Sequence, residues 1–189
     1  MRKAHAYLGV FFCLLGLAFF SSLVIIWIHA GEGFSRQEPC YNLPIASKNS
    51  PPALRVDNYG KGYFGAHRDG GRTHQGIDIL APIGQAVLAS KSGRVTFSGL
   101  GKGYGQFIEI SHPDGLRTRY AHLHSLYVRT GDWVTQGEAI GACGKTGNAS
   151  DPHMMPHLHF EIRTLLGAIN PTSVIPTSQR LYPPRVEKV

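Results

Sequence analysis

Short runs of alternating apolar and polar residues fill the chain between residues 54 and 172, and glycine-containing turns separate them. Apolar residues at every second position are typical of β-strands with one buried face. The runs lie at residues 76–80, 86–89, 93–97, 106–110, 116–120, 133–134, 138–141 and 156–162. Turn signals such as 113–115 and 130–132 follow one another too closely for helices. We therefore predict an all-β domain, mainly antiparallel, packed as a sandwich or partly closed barrel.

Residues 8–28 depart from this pattern because they contain no charged residue and are mostly apolar. About 20 such residues cross a bilayer, whereas a cleavable signal peptide has an apolar core of only about 7–15. Arg2 and Lys3 precede the stretch and few basic residues follow it directly, which places the N-terminus in the cytoplasm. We predict an uncleaved, single-pass transmembrane helix within residues 1–30, anchoring the domain on the periplasmic or extracytoplasmic side of the cytoplasmic membrane. A signal peptide is the alternative.

The rest of the chain predicts one domain between two extended segments. Residues 31–53 are rich in Gly, Ser, Asn and Pro without an apolar period, which indicates a flexible linker. Residues 54–172 form the predicted domain, and residues 173–189 an extended C-terminal tail. A chain of 189 residues at 42% hydrophobic suffices for one domain with a real core.

The net charge of +7 suits an anionic surrounding such as a cell envelope or a membrane surface. The basic residues are scattered and form no run that would follow a phosphate backbone, so we expect no nucleic-acid partner. The three cysteines are separate from one another, and none belongs to a Cys-x-x-Cys pair, which argues against zinc ligation by thiolates. Cys40 and Cys143 would both face an oxidising compartment, and the sequence leaves open whether they pair.

Two histidines leave the same face of one predicted strand, His157-Leu158-His159. At a strand's rise they stand roughly 6.5 Å apart, too far to share one ion comfortably but close enough to border one site. One imidazole would then hold a metal while the other acts on what the metal activates, and the spacing leaves open which does which. A surface strand that merely carries two histidines is the alternative.

A second candidate pair is His74 and Asp78, four residues apart. In a straight strand they would be roughly 13 Å apart, which excludes coordination of one ion. Gly76 allows the backbone to bend between them, and such bends occur beside active sites. A loop histidine followed by a turn-capping aspartate is the alternative.

Taken with His159, this pair supplies two nitrogens and one carboxylate oxygen, which leaves a tetrahedral zinc ion one open position for water. Zinc lowers the pKa of bound water to about 7 and polarises a carbonyl group. The candidates for proton transfer are His157 and His122, since an unperturbed histidine titrates near neutral pH.

Three motifs occur in a fixed order: His74-x-x-x-Asp78, Tyr120-Ala121-His122-Leu123 and Pro156-His157-Leu158-His159-Phe160-Glu161. Together they resemble the lysostaphin/LytM-type zinc peptidases, which cut peptide cross-links in bacterial peptidoglycan. The resemblance implies a LytM-like fold with one zinc ion per chain. It also implies that His74, Asp78 and His159 are the zinc ligands, and that His122 and His157 are the catalytic pair. Residues 128–141 and 146–150 resemble the family's hairpin and the loop after it.

Some features depart from the family pattern. Residues 151–156 make a longer loop than usual, and we expect His153 in that loop and His124 beside His122 to take no part. Glu161 is interpreted as a cross-strand surface carboxylate, with orientation of a metal ligand as the alternative. Tyr104 and Tyr120 are interpreted as core or rim residues, with oxyanion stabilisation as the alternative.

The prediction is a membrane-anchored zinc metalloendopeptidase that hydrolyses the peptide cross-links of bacterial peptidoglycan, with the stem peptides as substrate. The runner-up is a non-catalytic envelope scaffold or activator of other wall hydrolases, because some relatives have lost metal ligands. All five expected positions are filled here, which argues against it. A lipoyl-like carrier, suggested by residues 128–141, fails because no lysine lies at the hairpin tip.

Overall fold

The computed structural model describes residues 16–17, 19–23, 37–45, 52–179 and 181. The chain divides into two compact units, Met1–Pro39 and Cys40–Val189. In the first unit, residues 16–17 and 19–23 are helical. The predicted membrane span at 8–28 falls largely outside the described residues, as do much of the predicted linker and the end of the predicted tail. Within the described part of the chain, no helix is both long enough and apolar enough to cross a bilayer.

The described part of the second unit consists of short strands and 3-10 turns. The strands are β1 Val56–Asp57, β2 Gly60–Lys61, β3 His67–Arg68, β4 Arg72–Thr73, β5 Ile77–Leu80, β6 Ala86–Leu88, β7 Gly93–Gly101, β8 Gly105–Ser111, β9 Arg117–Leu126, β10 Trp133–Val134, β11 Ala139–Cys143, β12 His157–Thr164 and β13 Gly167–Ile169. The 3-10 turns are Asp69–Gly71, Gly147–Ala149, Pro171–Ser173 and Thr177–Gln179.

Nine strands form the main sheet, and its pairings are antiparallel. Six of them follow the order β10-β7-β8-β9-β11-β6, while β12 pairs with β9, β5 and β13. The prediction of a mainly antiparallel β domain is confirmed. The sheet does not close into a barrel among the described residues, because it branches at β9 instead of returning to its first strand.

The branch arises because β9 changes partner along its length. Its first half, from Arg117 to Ala121, pairs with β12, and its second half, from Leu123 to Leu126, pairs with β11. His122 lies between the halves, and its φ of 62° is the left-handed conformation that side chains rarely adopt. The register between β8 and β9 shifts at the same point. A bulge of this kind re-aims a side chain and increases the local twist.

The core lies on one face of the central strands. Ile108 pairs with Tyr120, Tyr120 with Phe160, and Phe160 with Ile77, so one row of fully buried side chains crosses four strands. The next row carries Glu109, Arg119 and Glu161 on the opposite face, because successive strand residues point to opposite sides. This alternation separates an apolar face from a polar face that carries the candidate site.

Residues at the start of the second unit pack against the domain. Tyr41 and Ile45, which we assigned to the linker, are buried. The Tyr41 hydroxyl donates to Asp114 at 2.8 Å, and the Lys91 ammonium donates to the same carboxylate at 2.8 Å. This buried contact holds the first residues of the unit to the turn between β8 and β9.

Gly76 lies at the bend before β5, where the neighbouring strand leaves no room for a β-carbon. A β-carbon there would collide with the backbone carbonyl of Phe160 and approach Cγ of Glu161 to 3.0 Å. Because backbone cannot move aside cheaply, Gly76→Ala is expected to reduce the free energy of unfolding by about 2 kcal/mol. Gly99→Ala is the matched control, since its β-carbon would make an ordinary 3.4 Å contact with Phe97. Urea denaturation of both variants measures the difference, and equal stabilities would contradict the expectation.

Candidate metal centre

The pairing of β12 with β5 brings two of the predicted ligands together. Their register places His159 directly opposite Asp78, and His157 opposite Leu80. Residues directly opposite in an antiparallel pair project to the same face with their β-carbons about 4.5–5.5 Å apart. His159, two residues further into the strand than His157, is therefore the histidine beside the carboxylate.

The third predicted ligand arrives from the segment before β5. His74 follows β4, and the bend at Gly76 turns the chain so that its imidazole meets the other two side chains. Nε2 of His74 lies 3.0 Å from both Oδ1 of Asp78 and Nδ1 of His159, and the last two atoms are 2.9 Å apart. All three residues are buried. The structure thus brings together the three side chains predicted as metal ligands.

The outer nitrogen of each imidazole is already committed to an acceptor. Nδ1 of His74 donates to the carbonyl of Tyr63 at 2.8 Å, and Nε2 of His159 donates to Oε1 of Glu161 at 2.9 Å. In the neutral tautomers the protons therefore sit on these outer atoms, and the inner nitrogens carry lone pairs. Two nitrogen lone pairs and a carboxylate oxygen converge on one buried point.

This donor set fits a metal ion. Ligand atoms bound to tetrahedral zinc at about 2.0–2.1 Å lie roughly 3.3 Å from one another. The observed separations of 2.9–3.0 Å are close to that value. Two imidazole nitrogens and one carboxylate oxygen are also the ligand types that zinc takes in sites with an open position. The three residues could therefore hold a metal ion.

The electrostatics of the cluster favour a positive charge at its centre. Burial opposes the charged form of His159, but hydrogen bonds with Asp78 and Glu161 outweigh it and raise its pKa to about 9. Burial likewise opposes ionisation of Asp78, yet the hydrogen bonds from His159 and His74 hold its pKa well below the ordinary value. The apoprotein satisfies this preference with a proton, and a bound metal ion would replace that proton.

Two arginines hold the other oxygen of Asp78. Oδ2 accepts a hydrogen bond from Nη2 of Arg55 at 3.0 Å and from Nη2 of Arg68 at 3.0 Å. Arg55 is itself buried and also donates to Oδ1 of Asp57 at 2.5 Å. Because both guanidinium groups occupy Oδ2, the carboxylate presents only Oδ1 to the cluster. The sequence prediction missed both arginines, although Arg55 between apolar Leu54 and Val56 was a visible signal.

His122 reaches the site through its unusual backbone. Its N–H donates to the carbonyl of Tyr104 at 2.9 Å, and its Nδ1 donates to the carbonyl of Thr146 at 2.9 Å. The ring centroid lies 5.1 Å from that of His157 and 5.8 Å from that of His159. The left-handed φ and the change of partner in β9 therefore bring His122 beside the two histidines of β12.

His157 has a matching arrangement. Its Nδ1 donates to the carbonyl of Met155 at 2.7 Å, while its Nε2 lies 3.9 Å from Oδ1 of Asp78.

Burial, with smaller contributions from His159 and His157, lowers the pKa of His122 to about 3, and burial also lowers the pKa of His157. The lowered pKa values favour the neutral form of both imidazoles, in which Nε2 carries the lone pair.

The other residues considered from the sequence differ in burial and in their contacts. Glu161 is buried and binds His159, so its interpretation as a surface carboxylate is wrong. Tyr104 donates to Oε1 of Glu161 at 2.8 Å, whereas Tyr120 is fully buried in the core and bonds the Ser90 N–H. His124 and His153 are exposed. Among the described residues, Cys40 and Cys143 are both free thiols.

The described residues thus combine an antiparallel β domain with a buried cluster of two histidines and one carboxylate and with two further imidazoles beside it. Residues 72–171 match the family model of Peptidase family M23. The chain belongs to that family, and the resemblance stated from the three motifs is confirmed.

Two curated relatives differ in what their names state. The chain is 43% identical over 109 residues to the DD-carboxypeptidase/endopeptidase Mpg of Neisseria meningitidis serogroup B, a match covering 57% of this chain and 24% of Mpg. It is 39% identical over 114 residues to the murein hydrolase activator NlpD of Escherichia coli K12, covering 60% of this chain and 28% of NlpD. The matches thus span about a quarter of each relative's length.

A solved structure supports the same fold. The catalytic domain of the antimicrobial peptidase lysostaphin from Staphylococcus simulans superposes with a TM-score of 0.52 at 34% identity. The alignment covers 61% of this chain and 88% of that domain. The LytM-like fold predicted from the motifs is therefore present.

Glu161 should control metal affinity through His159. Glu161→Gln keeps an acceptor for the His159 N–H but removes the negative charge, so we expect zinc affinity to fall about 10–100-fold. Competition with a chromophoric chelator measures the dissociation constant. Glu138→Gln is the control, since Glu138 is exposed and caps the backbone N–H of Thr135. Unchanged affinity in Glu161→Gln would mean that the carboxylate is merely structural.

Arg55 should affect both metal affinity and folding. An ammonium group cannot reproduce the forked contact of Arg55 with Asp57 and Asp78, so Arg55→Lys leaves a buried carboxylate poorly compensated. We expect a loss of about 3 kcal/mol in the free energy of unfolding of the apoprotein, together with roughly tenfold weaker zinc binding. Chemical denaturation and chelator competition measure the two effects. Arg129→Lys, at an exposed position, should change neither.

Proposed function

We propose that the chain is a zinc-dependent endopeptidase that hydrolyses peptide cross-links of bacterial peptidoglycan. The observation that carries this proposal is the joint presence of His74, Asp78 and His159 around one point and of His122 and His157 beside it. The relatives support the proposal of peptidase activity, since Mpg is a DD-carboxypeptidase/endopeptidase and lysostaphin is an antimicrobial peptidase.

In this proposal His74, Asp78 and His159 hold the zinc ion. Bound zinc supplies a water molecule of lowered pKa and polarises the carbonyl group of the scissile bond. Asp78 contributes through Oδ1 alone, because Arg55 and Arg68 occupy Oδ2. The hydrogen bond from each outer imidazole nitrogen to its acceptor sets the tautomer, so that the inner nitrogen would present its lone pair to a bound ion.

His122 and His157 move the protons in this proposal. The Nδ1 of each imidazole is committed to a backbone carbonyl, of Thr146 and Met155 respectively, which leaves Nε2 as the basic atom. One imidazole accepts the proton of the attacking water at Nε2, and an imidazolium returns a proton to the leaving amine. Because the lowered pKa values favour the neutral form of both rings, either can take the first proton, and we assign the two roles to the pair together.

The domain's place in the cell follows from the predicted anchor. Residues 8–28 would hold the chain in the cytoplasmic membrane with residues 40–189 on the outer side, where peptidoglycan lies. The chain's excess of basic residues suits the anionic envelope. A protease-protection assay on intact cells and on permeabilised spheroplasts tests this topology.

The deciding variant is His122→Asn, because asparagine tolerates the left-handed backbone conformation that His122 adopts. It is expected to retain one zinc ion per chain and to lose at least about 10²-fold in rate, since a proton-transfer group is removed. Mass spectrometry of muropeptides released from purified peptidoglycan measures the rate, and elemental analysis measures the metal. His124→Ala, an exposed neighbour on β9, should keep both. Full activity of His122→Asn would exclude its proposed role.

A second candidate function is activation of another wall hydrolase, which the 39% identity to NlpD favours. An activator would release no muropeptides alone but would raise the rate of an added wall amidase. Wild-type protein that carries zinc and still shows only this stimulation would establish the activator function and exclude the peptidase.

A further inference from the structure

Two leucines at a hairpin tip are almost entirely exposed. Leu165 and Leu166 connect β12 to β13, and 89% and 100% of their surfaces face solvent. Contiguous exposed apolar side chains mark candidate interaction sites.

A basic row crosses the sheet just behind this tip. Trp133 pairs with Arg94, Arg94 with Ser111, Ser111 with Arg117, and Arg117 with Arg163. Directly paired residues project to the same face, so one tryptophan and three arginines lie side by side at one end of the sheet. Trp133 is 53% exposed. We call Arg94, Arg117, Trp133, Arg163, Leu165 and Leu166 together the basic end.

Acidic groups near the basic end are already engaged. Glu109 accepts from Arg117 at 3.4 Å and Glu161 accepts from Arg163 at 2.7 Å, both from the side of the metal cluster. Each guanidinium carries five N–H donors, so donors remain for a second anion. Asp114 is bound by Lys91 and Tyr41. Arg94 donates to the carbonyl of Gly131, and the carboxylate of Asp132 beside Trp133 accepts from the Arg129 N–H. The row therefore keeps guanidinium donors for an anion from outside the domain.

The chain enters the second unit at the same end. Tyr41 contacts Asp114, which lies three residues before Arg117, the residue paired with Arg163. The uncharged stretch 8–28 lies upstream. Residues 29–40 join the uncharged stretch to the start of the second unit, and they can span at most about 40 Å when fully extended. A bilayer that holds residues 8–28 would therefore be within reach of the basic end.

We propose that the basic end docks on the anionic surface of the membrane that carries residues 8–28. Leucines at such a surface enter the headgroup and acyl boundary by about 5–10 Å, and tryptophan prefers the same depth. Arginines bind lipid phosphates through charge-assisted hydrogen bonds. The proposal rests on the proposed anchor, but it does not depend on peptidase activity.

Docking would set the height of the metal cluster. Strand β12 runs from the cluster to the tip, and His159 precedes Leu165 by six residues, or about 20 Å of strand. The membrane contact would hold the cluster roughly that far above the headgroups and would restrict rotation of the domain relative to the membrane.

The test uses the full chain with Trp27→Phe, which leaves Trp133 as its single tryptophan. The protein is reconstituted into vesicles of phosphatidylcholine and phosphatidylglycerol, with or without bromine on the acyl chains. Flotation with the vesicles reports anchoring, and quenching by bromine reports the depth of Trp133. We expect about a twofold loss of Trp133 emission, because residues at the boundary lie within about 5–10 Å of the acyl chains.

Variants at the tip separate docking from tethering. Leu165→Ser with Leu166→Ser should abolish the quenching while the chain still floats. Leu100→Ser, which removes a 79% exposed leucine at the far end of β7, should leave the quenching unchanged. Vesicles of phosphatidylcholine alone should quench less, since the arginines lose their anionic partners. Cleavage of soluble muropeptides should be the same in both variants.

Several results would overturn the proposal. The basic end does not dock if Trp133 stays unquenched in a chain that floats with the vesicles. It also does not dock if quenching persists in the double serine variant. Failure to float would remove the anchor and this inference together, without affecting the zinc and muropeptide measurements. A shift of Trp133 emission with insoluble peptidoglycan but not with vesicles would make the basic end a surface for the wall polymer instead.

Discussion

The convergence of three ligand atoms at one buried point is the constraint on which the site depends. The inner nitrogens of His74 and His159 and Oδ1 of Asp78 lie 2.9–3.0 Å apart, and no donor separates them in the neutral tautomers. Lone pairs at such distances repel one another unless a proton or a metal cation lies between them. The surrounding groups hold this arrangement in place, since Arg55 and Arg68 bind Oδ2 of Asp78 and Glu161 and the Tyr63 carbonyl bind the outer nitrogens of the two histidines. The fold thus builds a site that favours a positive charge.

The sheet supplies this arrangement through its register. The alternation of strand residues divides β12 into an apolar face, with Leu158, Phe160 and Ile162 in the core, and a polar face that carries His157, His159 and Glu161. A shift of one residue between β12 and β5 would remove His159 from Asp78 and bury polar groups among the core residues. The same core packing that stabilises the fold therefore aligns the candidate ligands.

The branch of the sheet at β9 provides the second half of the site. A strand that pairs with β12 and then with β11 must break its ladder where it changes partner, and His122 lies at that break. The left-handed conformation there is costly for a side chain other than glycine. Such strain is retained when surrounding contacts over-determine it, and here the bonds of His122 to Tyr104 and Thr146 do so.

The sequence by itself determined the strand pattern, the face that carries His157 and His159, the chemistry of the donor set and, through three motifs, the family. Strand spacing alone left open which of these histidines joins Asp78, because it defines a face but not the neighbouring strand, and only the family resemblance implied His159. The tertiary structure gave the physical reason, by placing His159 opposite Asp78. It also placed Arg55 and Arg68 on Asp78 and buried Glu161 against His159, contacts between segments far apart in the chain. Such contacts depend on strand register and on the branch at β9, which long-range packing sets and local residue patterns do not encode.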